Sequence, residues 1–182
     1  MSINDIDLSN IIFITGGTKS GKSELAEYLG KKIDKITYIA LSESRPQDVI
    51  WQRKILQHRK RRPKEWKLIE TNNLITALIA EKGPVLIDSI GGFIMENINK
   101  KDEEWDDKIC ILLNHLKQRE NTTLIVGEQV GWSLVSEYDI GNKYIERLGY
   151  LQKVITKISN ENWLTVNGRA LKLDNISFEI PT

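Results

Sequence analysis

Residues 11–30 read IIFITGGTKSGKSELAEYLG. The apolar run Ile11-Ile12-Phe13-Ile14 predicts a short buried strand over Ile11–Thr15. A Gly-rich turn follows, and Glu24–Lys32 predicts a helix. Between them Gly16, Gly21, Lys22 and Ser23 satisfy the spacing G-x-x-x-x-G-K-[ST]. Glycines at those positions let the backbone wrap so that several N–H groups point at phosphate oxygens. Lys22 adds a point charge near the β and γ phosphates, and the Ser23 hydroxyl can bind Mg²⁺. The following helix turns its positive end toward the same anion. Gly16, Gly17, Thr18, Lys19, Ser20, Gly21, Lys22 and Ser23 are therefore candidate nucleotide contacts. A purely structural glycine turn is the competing reading, and it would not require a strand before and a helix after.

Further along, strands and helices alternate. Strands are predicted at Lys35–Leu41, Trp66–Glu70, Val85–Asp88 (VLID) and Thr122–Val126. Helices are predicted at Asp48–Arg61, set off by Pro46 and Pro63, and at Leu74–Glu81, ended by Gly83-Pro84. Trp105, Ile109, Leu112 and Leu116 recur at helical spacing and predict an amphipathic helix over Asp102–Arg119. Another helix is predicted over Asp139–Ile158. The polar segment Asn97–Asp107 reads as an exposed loop leading into its helix. Residues 163–173, WLTVNGRALKL, hold two apolar-rich runs around Asn167-Gly168, a dipeptide suited to a type I′ turn, so a closing hairpin is expected. The alternation predicts an α/β fold with a mostly parallel sheet and helices on both faces. A length of 182 residues suits one domain over 1–182, with the polar residues 1–10 expected to be flexible.

Lys plus Arg number 26 against 25 Asp plus Glu, a net charge of +1 that argues against a general nucleic-acid binder. The single cysteine, Cys110, excludes an intrachain disulfide and fits a reducing compartment. The first residues, MSINDIDLSN, are unlike a signal peptide, and no apolar run approaches the ~20 residues that span a membrane. A cytoplasmic protein without membrane insertion is expected.

Asp88, at the end of VLID, can help hold Mg²⁺ beside such a phosphate loop, or can simply cap the next segment. Asp88-Ser89-Ile90-Gly91 would also serve a GTPase-type switch as D-x-x-G, but such switches usually carry N-K-x-D, which this chain lacks. A kinase or nucleotidyl transferase is the other reading. For that chemistry the chain offers His58, directly followed by Arg59, Lys60, Arg61 and Arg62. A neutral imidazole can attack phosphorus while neighbouring cations spread the developing charge. A histidine on a solvated basic helix face is the plain alternative. His115, among Leu112, Leu113 and Leu116, is assigned no role.

At these residues the chain resembles the bifunctional adenosylcobinamide kinase / adenosylcobinamide-phosphate guanylyltransferase family of cobalamin biosynthesis. The resemblance rests on Thr15–Ser23 (TGGTKSGKS), Tyr38-Ile39-Ala40, and the block Lys54-Ile55, His58, Arg62-Pro63, Trp66 and Glu70. It continues through Asp88, Asn97, Val130-Gly131, Leu134-Val135 and Glu137 to Gly168 and Leu171-Lys172. It implies a RecA-like P-loop fold, a trimer, and two reactions. In one, the hydroxyl of adenosylcobinamide takes the γ-phosphoryl of ATP or GTP. In the other, His58 takes GMP from GTP and passes it to the phosphorylated corrinoid, giving adenosyl-GDP-cobinamide. It also implies nucleotide contacts from Leu41, Ser42, Glu43, the bases Arg59, Lys60, Arg61 and Arg62, Glu70 and Asp88, with Ser23 and Asp88 on the metal. The chain departs from the family at Ile50, Trp51 and Tyr150, and has Glu128-Gln129 where the family has Asn-Glu. A diverged member with one activity, or a P-loop nucleotide-binding regulator, are the alternatives.

Overall fold

The computed structural model describes residues 11–41, 47, 62–132 and 136–181. Among them the elements run β1 (Ile11–Gly16), α1 (Lys22–Gly30), β2 (Thr37–Leu41), β3 (Lys67–Thr71), α2 (Leu74–Ala80), β4 (Val85–Asp88), α3 (Gly91–Asn97), α4 (Asp102–Lys117), β5 (Thr123–Glu128), α5 (Asp139–Ile158), β6 (Glu161–Val166) and β7 (Arg169–Lys172). The helix expected over Asp48–Arg61 and the N-terminal ten residues lie outside the described residues.

Seven strands form one sheet in the order β3-β2-β4-β5-β1-β6-β7. Every pairing is parallel except the closing β6–β7 hairpin. Parallel strands need crossovers that cover the sheet, so the central strands are apolar through their interiors and turn polar only toward their ends. Every residue of β1 is buried. Alternation along the strands splits the core in two. Ile11, Phe13, Ile39, Val85, Ile87 and Ile125 face a layer built from α2, α3, α4 and α5. Ile12, Ile14, Tyr38, Leu86, Leu124 and Val126 face α1 through Leu25, Ala26 and Leu29. Each fully buried Ile or Leu side chain contributes about 1.5–3 kcal/mol.

The exposed loop expected over Asn97–Asp107 is shorter than expected: only residues 98–101 separate α3 from α4. Asn97 is buried at the end of α3, where its Nδ2 donates to the Phe93 carbonyl at 2.9 Å. Helix α4 begins at Asp102, as expected, and Trp105 is buried. The acidic residues Asp102, Glu103 and Glu104 form the first turn of α4, where negative charge is favourable against the helix dipole. Arg147 of α5 ties this corner together, donating to the carbonyls of Asn97 at 2.9 Å and Lys100 at 2.8 Å and to Asp102 at 3.0 Å.

The hairpin turns at Asn167 (φ 49°) and Gly168 (φ 74°), the positive angles that a type I′ turn requires. Lys172 of β7 pairs with Glu161 of β6 at 2.6 Å, and Trp163 Nε1 donates to the other Glu161 oxygen at 2.9 Å.

Candidate nucleotide site

Helix α1 begins two residues earlier than expected, at Lys22 of the motif itself. The turn between β1 and α1 needs left-handed backbone at two places, Lys19 (φ 56°) and Gly21 (φ 103°). The second is strained for any residue with a side chain. Two neighbouring glycines have different reasons. A Cβ on Gly16 would meet the Thr165 hydroxyl oxygen at 2.4 Å and the Thr165 carbonyl oxygen at 2.5 Å, whereas one on Gly17 meets nothing within 4 Å. Gly17 thus leaves an approach open, and Gly16 is hemmed in by β6.

The hairpin braces the loop from behind. The Ser20 and Thr165 hydroxyls are 2.7 Å apart. Thr165 also donates to the Thr15 carbonyl at 3.2 Å, and the Gly168 amide donates to the Ser20 carbonyl at 2.9 Å. Lys22 Nζ donates to the Gly17 carbonyl at 3.0 Å, lying back along its own loop. Thr18 and Lys19 are exposed, Ser20 is buried, and Ser23 is half-buried on the first turn of α1.

Asp88 stands at the end of β4, with β5 inserted between it and the loop strand. Its Oδ2 accepts a hydrogen bond from the Tyr38 hydroxyl at 2.5 Å. Burial, and then the Asp88 charge, push the Tyr38 phenol far above its ordinary value, so Tyr38 stays a neutral donor. The Asp88–Ser89 peptide bond is cis, and Ser89 Oγ donates to Glu128 Oε1. Glu128 ends β5 and is in register with Gly16 at the head of the loop. Its Oε2 is buried with no hydrogen-bond partner. Burial pushes its carboxyl above the usual carboxylate range, and the Ser89 hydrogen bond opposes that shift. Nothing in the sequence pattern had marked Ser89, and Glu128 had appeared only as a departure from the family. Gln129 is turned away: its Nε2 donates to Thr15 Oγ1 at 2.9 Å and to Gln152 Oε1 at 3.3 Å.

The remaining expected contacts fall on the β2–β3 side. Glu70, Ala40 and Asp88 are level across β3, β2 and β4. Strands spaced about 4.8 Å apart put Glu70 about 10 Å from Asp88. Leu41 is buried against α3, where its Cβ and carbonyl fill the space a Gly92 side chain would need. Its side chain is core, and only its backbone can serve a ligand. Arg62, expected on the nucleotide, lies over the Tyr38 ring at 3.3 Å from the centroid. Its Nε is 4.0 Å from Glu27 Oε1 and makes no hydrogen bond. His58, Ser42, Glu43, Arg59, Lys60 and Arg61 lie outside the described residues. Gly91, read as part of D-x-x-G, has a packing reason. A Cβ there would meet the Tyr144 hydroxyl and the Glu128 carboxylate.

A glycine-built loop between the first strand and its helix, with an acid two strands away, defines a P-loop nucleotide-binding α/β protein. Solved structures agree on the fold. An ATPase from the type III secretion system of pathogenic bacteria superposes with a TM-score of 0.52 at 10% identity, covering 93% of this chain, which spans 59% of that one. A Pyrococcus horikoshii OT3 protein superposes at 0.54 and 8% identity, covering 96% of this chain and 92% of that one. The cobinamide kinase / cobinamide phosphate guanyltransferase family matches residues 12–173, and the chain belongs to it. It is an enzyme of the transferase class. The bifunctional adenosylcobalamin biosynthesis protein CobU of Salmonella typhimurium is 26% identical, aligned over 90% of this chain and 99% of its own. The bifunctional adenosylcobalamin biosynthesis protein CobP of Pseudomonas aeruginosa is 27% identical, over 88% and 95%.

Proposed function

We propose that the chain phosphorylates the hydroxyl of adenosylcobinamide with ATP or GTP and then transfers GMP from GTP, through a GMP–His58 intermediate, to give adenosyl-GDP-cobinamide. The observation that carries this reading is the loop itself. Gly17 is open, Lys22 lies beside it, and half-exposed Asp88 ends a neighbouring strand. The family match supplies the reaction class.

In this reading the loop amides and the start of α1 hold the triphosphate, and Lys22 leaves the Gly17 carbonyl to meet the β and γ phosphates. Ser23 and Asp88 would hold Mg²⁺. The Tyr38 hydroxyl occupies one Asp88 oxygen and leaves the other for a cation. No group of three or more His, Cys, Asp or Glu side chains forms a metal site among the described residues, which suits an ion that takes most of its ligands from phosphates and water. When bound, Mg²⁺ neutralises charge on the phosphates. The His58 imidazole forms a P–N bond to the α-phosphorus as the bond to pyrophosphate breaks. The phosphate of the corrinoid then takes the GMP and frees the imidazole.

No helix among the described residues is long and apolar enough to cross a membrane. A cytoplasmic homo-oligomer, a trimer, forming a single domain completes the proposal. The exposed Ile176, Phe178 and Ile180 are apolar surface that a second copy would cover.

The test is to incubate the protein with adenosylcobinamide, ATP, GTP and Mg²⁺ and follow products by mass. Phosphorylated and then GDP-linked corrinoid is expected. Nucleotide binding without either product would overturn the proposal.

A further inference from the structure

The mouth of the loop holds a pair of side chains that the reaction, as described so far, does not use. Ser89 follows Asp88 and is half-exposed at the strand end. Its hydroxyl hydrogen is committed to Glu128 Oε1. A hydroxyl has one hydrogen and two lone pairs, so a serine that donates to a fixed carboxylate must present itself to any other partner as an acceptor. Glu128 is well placed to enforce this. It ends the strand between β4 and β1, its second oxygen is buried, and Gly91 and the Tyr144 hydroxyl close around the carboxylate. A carboxylate accepts and does not donate, so it cannot turn the serine round.

The neighbouring amide does not share this work. The Gln129 side chain is spent on Thr15 and Gln152. Of the two polar side chains at this strand end, Glu128 is the one turned toward Ser89.

We infer that Ser89, oriented by Glu128, accepts a hydrogen bond from the alcohol that is to be phosphorylated and so sets that alcohol's oxygen toward the γ-phosphorus. Ser89 is then a catalytic residue of the kinase step, and Glu128 is a positioning residue that acts through it. The inference rests on the kinase half of the proposed function. It makes a distinction within that function: GMP capture from GTP involves no alcohol and has no use for such an acceptor.

The test compares wild type, Ser89→Ala, Glu128→Ala, the double variant and Glu128→Gln in two assays. One measures kcat/KM for adenosylcobinamide with Mg²⁺ and saturating ATP. The other measures the rate of protein labelling by GTP carrying label on its α-phosphorus. Ser89→Ala and Glu128→Ala are each expected to lower the first by about ten- to hundredfold, the range for a lost hydrogen bond whose partner is left unsatisfied. Each is expected to lower the second at least several-fold less. The double variant is expected to be no worse than about twofold below the poorer single, because both remove one device. Glu128→Gln keeps a carbonyl for the Ser89 hydrogen at the same volume, and is expected to recover part of what Glu128→Ala loses. Equal losses in both assays, additive losses, a Ser89→Ala enzyme with wild-type kinase turnover, or a Gln variant as poor as the Ala variant would each overturn the inference. Failure of the proposed function reads differently, because wild type itself would then leave adenosylcobinamide unphosphorylated.

Discussion

Gly16 and Gly17 are adjacent and look interchangeable in the sequence, yet the structure separates them sharply. Replacing Gly16 by Ala puts a methyl group 2.4 Å from Thr165 Oγ1, 2.5 Å from Ser20 Oγ and 2.5 Å from the Thr165 carbonyl oxygen. The hydroxyls can rotate away, but the carbonyl belongs to the backbone of β6, paired in register with β1. Thr165→Ser therefore would not relieve the clash. Overpacking of this kind costs about 1–3 kcal/mol. For a chain of this size each kcal/mol shifts the melting temperature by about 2–4 °C, so Gly16→Ala is expected to melt up to about 10 °C below wild type. The same methyl on Gly17 meets nothing within 4 Å, and Gly17→Ala is expected to melt within about 2 °C of wild type. Circular dichroism melts and urea titrations of both variants provide the comparison. A Gly16→Ala protein as stable as Gly17→Ala would refute the placement of the hairpin behind the loop.

Other consequences are independent of that one. Tyr38→Phe removes the donor at 2.5 Å from Asp88, and is expected to raise the Mg²⁺ concentration needed for nucleotide binding several-fold, read by calorimetry at fixed nucleotide. Glu81 accepts from Lys67 at 2.7 Å, from Thr37 and from the Gly83 amide, and the Lys67 hydrogen bond foremost holds its carboxyl below the usual range. Its folded-state pKa is depressed, so its contribution to stability is present above the unfolded value of about 4.5 and is lost as the pH falls through the folded value. The stability gap between wild type and Glu81→Gln should accordingly be constant near pH 7 and narrow as the pH falls below about 4.5; a gap that widens in acid would contradict the sign. Arg119 donates to the carbonyls of Leu78, Glu81 and Gly83 at the end of α2 and to Thr123. Arg119→Met leaves these acceptors short of a donor and is expected to cost roughly 2–4 kcal/mol in urea unfolding, while a loss below about 0.5 kcal/mol would show that water replaces the guanidinium.

Local signals carried much of the fold. VLID and the helix Asp139–Ile158 have the bounds expected of them, because each is a clean apolar or amphipathic run between polar breaks. The Asn-Gly turn closes the hairpin, since positive φ at two successive residues is a local demand. Helix α3 went unread because it opens Gly91-Gly92, a pair of poor helix formers. Those glycines are chosen by their neighbours: Leu41 presses on Gly92, and Tyr144 and Glu128 press on Gly91. No local pattern reports a contact made from another strand.

The candidate site divides the same way. The loop is one contiguous segment, and its spacing is its chemistry. Its support is not contiguous. Ser20 meets Thr165 across 145 residues, and Ser89 meets Glu128 across 39. Arg62 shows what a run of four bases does not report: its last member lies over the Tyr38 ring, a destination that depends on where β2 lies.

The central claim is tested most directly with purified protein, Mg²⁺ and GTP labelled on the α-phosphorus. The protein is denatured without acid and examined for bound label, in wild type and in His58→Ala. A label that is acid-labile, present on wild type and absent from His58→Ala is the expected result. Label retained in full on His58→Ala, or a folded wild-type protein that binds GTP and takes up none, would contradict the account.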